Sequence, residues 1–458
     1  MYLNMKKSHC LLLLVISLIS VSSCYEDLYH NLDHFHTPTL YPPPFYFTNY
    51  QQNHYYHKPN SAHRRNYKNP LRASHLVIRP KVVNVDAFGA KADGRDDSKA
   101  FKKAWKEACS STGTVLLVVP KNRDYVLKPI TFSGPCRSNL AFKIYGKINA
   151  TNHTSDYSKD PTHWLLFSNV QNLRVDGGGI INGNGKIWWQ NSCKVNKKLP
   201  CRDAPTAVTF FECSNLIVSS LWFQNAQQMH LRFQRCFNVK ASNVLVTAPE
   251  HSPNTDGIHV TETHNILIKN SVIKTGDDCI SIVSGSKNVR ATGITCGPGH
   301  GISIGSLGAR NSAAYVSNVV VDKARLSGTT NGVRIKTWQG GSGYAKNIIF
   351  QNVVMQNVSN PIIINQYYCD QEKPCPEQHP AVQISNVMYN NIRGSSASED
   401  AIKISCSKSF PCHGIRLQNI ALGRQLLQED NDQVARASCS NVGLVNRGIV
   451  YPRCSSKY

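Results

Sequence analysis

From Phe167 onward the chain repeats one pattern, an asparagine followed by aliphatic residues that alternate with polar ones. The pattern recurs at Asn172, Asn215, Asn238, Asn265, Asn288, Asn318, Asn347 and Asn386. Successive gaps from Asn215 are 23, 27, 23, 30, 29 and 39 residues, and Asn172 stands 43 residues before Asn215. The longest two gaps hold the pairs Cys193/Cys201 and Cys369/Cys375. Repeats in this range mark a solenoid. The segments are short, β-branched and broken by Gly and Asn, with no helical stripe, so each repeat reads as a coil of short strands. Stacked coils form parallel sheets with strands about 4.8 Å apart. The expected fold class is therefore all-β, a right-handed parallel β-helix, with each asparagine at a turn where its amide bonds the asparagine of the next coil. A β-sandwich is the alternative, but it requires hairpin turns at regular spacing, which the chain lacks.

Ahead of the repeats, Val82-Val83-Asn84-Val85 reads as a strand, and Asp96-Asp97-Ser98 offers an N-cap to a helix from Lys99 to Cys109. Ala100, Phe101, Ala104, Trp105 and Ala108 form one apolar stripe, which suits a short helix capping the open N-terminal end of the solenoid. Cys109 is expected to pair with Cys136. Residues 24–80 are rich in Tyr, His, Pro and Asn and show no period, which reads as a poorly ordered leader. Arg64-Arg65 near its end fits either a processing point or a retained surface tail. Residues 1–23 carry Lys6-Lys7, an apolar run from Leu11 to Ile19 and then Ser22-Ser23, the layout of a secretory signal peptide. The solenoid unit is expected to span residues 81–458.

Cysteine and charge narrow the environment. Sixteen cysteines include the short local pairs Cys193/Cys201, Cys369/Cys375, Cys406/Cys412 and Cys439/Cys454, which suit disulfides in an oxidising compartment rather than a zinc site. Cys213 and Cys236 each precede a ladder asparagine by two residues and should stack on neighbouring coils, as buried thiols in preference to a bridge. Lys and Arg outnumber Asp and Glu by 51 to 28, a formal charge of +23, which points to a polyanionic partner. Export argues against intracellular nucleic acid and leaves an extracellular acidic polysaccharide. No stretch after the signal is long and apolar enough to span a membrane, and sequons at Asn149, Asn152 and Asn357 agree with secretion.

The chemistry concentrates in four clusters: Asn254-Thr255-Asp256, Gly276-Asp277-Asp278, Gly299-His300-Gly301 and Arg334-Ile335-Lys336. Asp256 to Asp277 is 21 residues, Asp277 to His300 is 23 and His300 to Arg334 is 34, so coil spacing puts them on consecutive turns of one sheet. Arg334 and Lys336 alternate around Ile335 and should both project outward. Singly, each cluster has a plainer reading, since an Asp-Asp pair is more often a turn former or calcium ligand; their order at coil spacing reverses that. Glycoside cleavage needs a carboxylic acid for the leaving oxygen and a carboxylate for water or the sugar. Crowded carboxylates cannot all ionise freely, so one should keep its proton to higher pH.

In these four clusters the chain resembles the polygalacturonases, glycoside hydrolases acting on pectin, with the longer context similar to the plant branch. The resemblance runs from about Val82 to Cys454. It implies hydrolysis of α-1,4 bonds between galacturonates with inversion. Asp277 would be the general acid, Asp256 and Asp278 would position and deprotonate the water, and His300 would tune the acid or orient the sugar. Arg334 and Lys336 would hold a galacturonate carboxylate, with Asn254 and Tyr368 also contacting substrate and Tyr367 the alternative to Tyr368. No metal or cofactor, a monomeric state and a cell-wall location are expected.

Two tensions and two rival functions follow. Strict alternation would send one of Asp277 and Asp278 inward, so a bend at Gly276 must turn both outward. Stacked carboxylates closer than about 6.5 Å would by themselves suggest a retaining enzyme, against the inversion the resemblance implies. The rivals are a calcium-dependent lyase on the same scaffold and a non-catalytic pectin-binding solenoid. Trp188, Trp189 and Trp338 fit either sugar-stacking platforms or loop anchors beside a basic cleft.

Overall fold

A computed structural model describes residues 79–371, 375–424 and 434–454. The signal, nearly all of the leader and Arg64-Arg65 lie outside these residues. Among the described residues, strands collect into two sheets, one of eleven strands and one of eighteen, and every ladder between strands is parallel. The chain alternates between the sheets as it winds, a right-handed parallel β-helix with the hand that parallel crossovers take. A sandwich of hairpins is excluded.

Register is set by the apolar interior. Ile258, Ile280, Ile302, Val333, Ile362 and Ile402 lie in one column on successive strands, and all are fully buried. Toward the N-terminus an interior column is aromatic: Phe132, Phe167, Phe210 and Phe233 stack with centroids 4.8, 4.8 and 5.6 Å apart. A slip of one residue would turn each such column to solvent, so the outward residues are registered as firmly as the core.

The asparagine ladder is unbroken. All eight asparagines adopt a left-handed conformation with φ between 52° and 58°. Each amide nitrogen donates to the asparagine oxygen one coil earlier, seven bonds of 2.9–3.3 Å from Asn215 to Asn386. Asparagine tolerates this backbone region better than other residues with a Cβ, which is why it marks the turn.

The cap forms as expected, as helix α1 (Ser98–Ser110), with Ala100, Phe101, Ala104, Trp105 and Ala108 buried. Asp96 accepts from the Ser98 amide, whereas Asp97 turns away to the amides of Lys91 and Ala92. Trp105 packs 5.0 Å from Phe132, and Cys109–Cys136 ties the helix end to the first coil. The four local cysteine pairs are bridged, and Cys213 and Cys236 are buried free thiols. A sixth bridge, Cys279–Cys296, joins the turn after Asp278 to a strand of the other sheet.

Asn265 tests the ladder, because it donates to Asn238 and accepts from Asn288. Asn265→Ala should destabilise by about 2 kcal/mol, combining a strained φ with two lost hydrogen bonds. Asn265→Gly, which relieves only the strain, should lower Tm by less. Equal Tm losses would show that backbone strain plays no part.

Candidate active site

The four polar clusters sit where the chain enters four consecutive strands of the eleven-stranded sheet. Asp256 precedes Ile258–Thr261, Asp277 and Asp278 precede Ile280–Ile282, His300 precedes Ile302–Leu307, and Arg334 and Lys336 lie within Asn331–Trp338. Asp277 lies in a bend, not a strand, so alternation does not apply there and both carboxyls face outward. The bend requires Gly276, since a Cβ there would stand 2.1 Å from the Ser252 carbonyl oxygen. Gly301 has φ 83° and meets the Asn331 carbonyl as closely, which lets the His300 turn lie against the next coil.

Asp278 is the centre of the charge network. It is 2% exposed, and its Oδ1 accepts from Ser303 Oγ at 2.7 Å and Arg334 Nη2 at 2.8 Å. Its Oδ2 accepts from Lys336 Nζ at 3.0 Å. Both cations therefore turn first to Asp278, where the sequence had them facing substrate alone. A buried carboxylate needs such compensation, whereas a substrate carboxylate brings its own hydration until it docks. Ligand atoms of Asp277, Asp278 and His300 lie within 4.8 Å of one another, close enough to share a metal ion. Arg334 and Lys336 already occupy Asp278, however, and would repel one.

Asp277 is more open. Its Oδ1 accepts from His300 Nδ1 at 3.0 Å and from the Asp278 amide at 2.8 Å, while Oδ2 takes no hydrogen bond among the described residues. Burial pushes this carboxyl up, but the hydrogen bond and charge of His300, with Lys336 behind it, outweigh burial and hold it below its ordinary value. The same contact raises His300 against its own burial.

Asp256 is the opposite case. Burial, then the charge of Asp277 and, more weakly, of Asp278, pushes its carboxyl up, against the pull of His259. Its Oδ2 accepts from Ser281 Oγ at 2.6 Å, with His259 Nδ1 at 3.4 Å. Beneath it His230 is wholly buried, its ring Nδ1 3.0 Å from the Asp256 carbonyl and its Nε2 accepting from the Ala226 amide. Burial pushes that imidazole down to about 4, so it stays neutral and props the Asp256 backbone. Asn254, half-buried with φ 55°, forms the turn before it.

The sequence reading missed His230, His259, Ser281 and Ser303. A signal existed for the last three: His259, Ser281 and Ser303 each follow Asp256, Asp278 and His300 by three residues, and they align in one column with Arg334.

Tyr368 comes from the next strand, Asn360–Tyr368. Lys336 Nζ lies 5.3 Å from its ring centroid and Trp338 meets it edge-on at 5.3 Å, so Tyr368 rather than Tyr367 borders the site. Burial, with Asp370 adding to it, pushes its hydroxyl up to about 12. Trp188 and Trp189 are anchors: Trp188 packs on Tyr157 at 5.2 Å and Trp189 Nε1 donates to the Ala226 carbonyl. The Cys193–Cys201 and Cys369–Cys375 loops are joined by Lys194 and Asp370, 2.8 Å apart.

Residues 109–444 match the model of the glycosyl hydrolases family 28. The chain is 59% identical over 448 residues to polygalacturonase QRT2 of Arabidopsis thaliana, covering 97% of this chain and 99% of that protein. It is 58% identical over 377 residues to polygalacturonase-2 of Solanum lycopersicum, covering 82% of this chain and 81% of that one. Among solved structures, the polygalacturonase of Erwinia carotovora superposes with a TM-score of 0.65 at 22% identity, covering 83% of this chain and 99% of that one, a likeness of fold.

Asp256 should cost stability as pH rises. A raised carboxyl binds its proton more tightly folded than unfolded, so stability is greatest below the unfolded value of about 4 and declines as pH climbs through the folded value. Asp256→Asn should therefore raise Tm at pH 7 while matching the parent below about pH 4. A variant less stable than the parent at pH 7 would contradict this electrostatic assignment.

Proposed function

Since the chain belongs to the glycosyl hydrolases family 28, we propose that Asp277 is the general acid of its reaction and that Asp256 and Asp278 direct the attacking water. The enzyme hydrolyses polygalacturonate, the acidic substrate that its charge of +23 suits. The observation that supports the roles most is the difference between the three carboxyls. Geometry precedes pKa in choosing an acid: Asp277 is the most open of the three and its Oδ2 takes no hydrogen bond among the described residues, whereas Asp278 has both oxygens engaged and Asp256 is more deeply buried. His300 holds Asp277 low in the free enzyme; substrate carboxylates docking nearby raise it again, so that Oδ2 carries a proton to the leaving oxygen.

Asp278, held by Ser303, Arg334 and Lys336, has little free electron density for covalent attack. It suits orienting a water, with Asp256 as its partner in deprotonation, and this favours inversion over the covalent route. Arg334 and Lys336 keep further donors for a galacturonate carboxylate while paired to Asp278, Tyr368 stacks beside that sugar, and Asn254 borders the water side. A signal at residues 1–23 and a leader at 24–80 precede the catalytic unit of 81–458, which acts as a secreted monomer in the plant cell wall. No helix among the described residues is long and apolar enough to cross a membrane.

Asp277→Asn should lose on the order of 100-fold or more in kcat while still binding polygalacturonate. Products of the parent enzyme should carry the β configuration at the new reducing end when first formed, as read by proton NMR, without ultraviolet-absorbing double bonds and in the presence of chelator. First-formed α products would replace inversion by a covalent route. Activity abolished by chelator, with absorbing products, would make the enzyme a lyase.

A further inference from the structure

The column that carries the site continues past the acids toward the N-terminal end. Thr209, Arg232, His259, Ser281, Ser303 and Arg334 occupy one position on successive strands. Arg232 lies between Leu231 and Phe233, both 0% exposed, so its side chain projects to the outer face that bears His259 and Ser281. It is only half exposed, and its Nε is buried without a hydrogen-bond partner among the described residues. The buried hydroxyl of Thr209, one strand away, is likewise unpartnered. Burial lowers the guanidinium's pKa, and Glu262, the carboxylate whose charge reaches it, is bound by Arg235. The cations on the other side of the acids differ: Arg334, in the same column, and Lys336, two residues on, are both paired to Asp278.

An unpaired buried donor is costly, and a ligand carboxylate in the plane of the guanidinium would remove that cost. Arg232 stands one strand from His259, while Arg334 stands three strands away on the other side, a span of about 19 Å. A polysaccharide laid along this face would therefore meet a cation on either side of the acids. We propose that Arg232 holds a galacturonate carboxylate across the cleaved bond from Arg334 and Lys336, and thereby sets the enzyme's demand for an unesterified sugar at that place. The inference rests on hydrolysis of polygalacturonate by this face.

Arg232→Gln and Arg232→Lys, compared with the parent, test it by kinetics on polygalacturonate and on partly methyl-esterified pectin, and by cleavage positions in end-labelled oligogalacturonate. Arg232→Gln should raise KM about tenfold with kcat within about twofold, the signature of lost uniform binding. It should also shift the cleavage positions and narrow the preference for unesterified substrate. Arg232→Lys, keeping the charge but not the fork, should recover part of the KM. Unchanged KM and cleavage positions in Arg232→Gln would overturn the proposal. So would a joint fall in kcat and Tm at unchanged positions, which would make Arg232 a packing post. A parent enzyme that leaves polygalacturonate uncut would sink the hydrolase reading and this inference with it, a result distinguishable from failure in the variant alone.

Discussion

Every functional distance in this protein depends on the in-register hydrogen bonding of one coil upon the next. Ile258, Ile280, Ile302 and Val333 are held in one interior column by burial, and the outward residues beside them have no freedom to drift. Acids, imidazole and cations that lie 21 to 34 residues apart in sequence thus become neighbours about 4.8 Å apart. The asparagine ladder fixes the same register from outside, at a turn where few residues accept the backbone. Function follows from pitch, since a site spread over four coils exists only if no coil slips.

That stacking brings three carboxyls together, and the surrounding side chains separate their behaviour. Asp278 is neutralised by Arg334 and Lys336, Asp277 is matched by His300, and Asp256 is left with weak support from Ser281 and His259. Asp256 and His300 accordingly hold their protons more tightly than Asp277 does in the free site. A polyanionic substrate alters that balance because its own charges arrive beside the acid. With the proposed roles, substrate binding and acid preparation are one electrostatic event, which explains why an enzyme with an excess of cations still concentrates its acids at one place.

Much of this was legible in the sequence because the solenoid translates spacing directly into proximity. All eight ladder asparagines, the cap helix stripe and the four motif clusters fall where their intervals put them. What escaped was information carried across coils rather than along the chain. Cys279 and Cys296 lie less than a coil apart, so they bridge the interior instead of stacking, and neither sits in a short local loop. His259, Ser281 and Ser303 look like ordinary strand residues until the register aligns them under the acids. The partnership of Arg334 and Lys336 with Asp278 was hidden for the same reason: an isolated Arg-x-Lys advertises a ligand, while the buried carboxylate it serves is 56 and 58 residues away.

The most direct test is a crystal structure of the Asp277→Asn enzyme with an oligogalacturonate bound. The account requires the sugar chain to run along the eleven-stranded sheet, with a glycosidic oxygen within hydrogen-bonding distance of residue 277 and galacturonate carboxylates near Arg334 and Lys336. A chain running along a single strand away from these residues, or bound on the eighteen-stranded sheet, would contradict it.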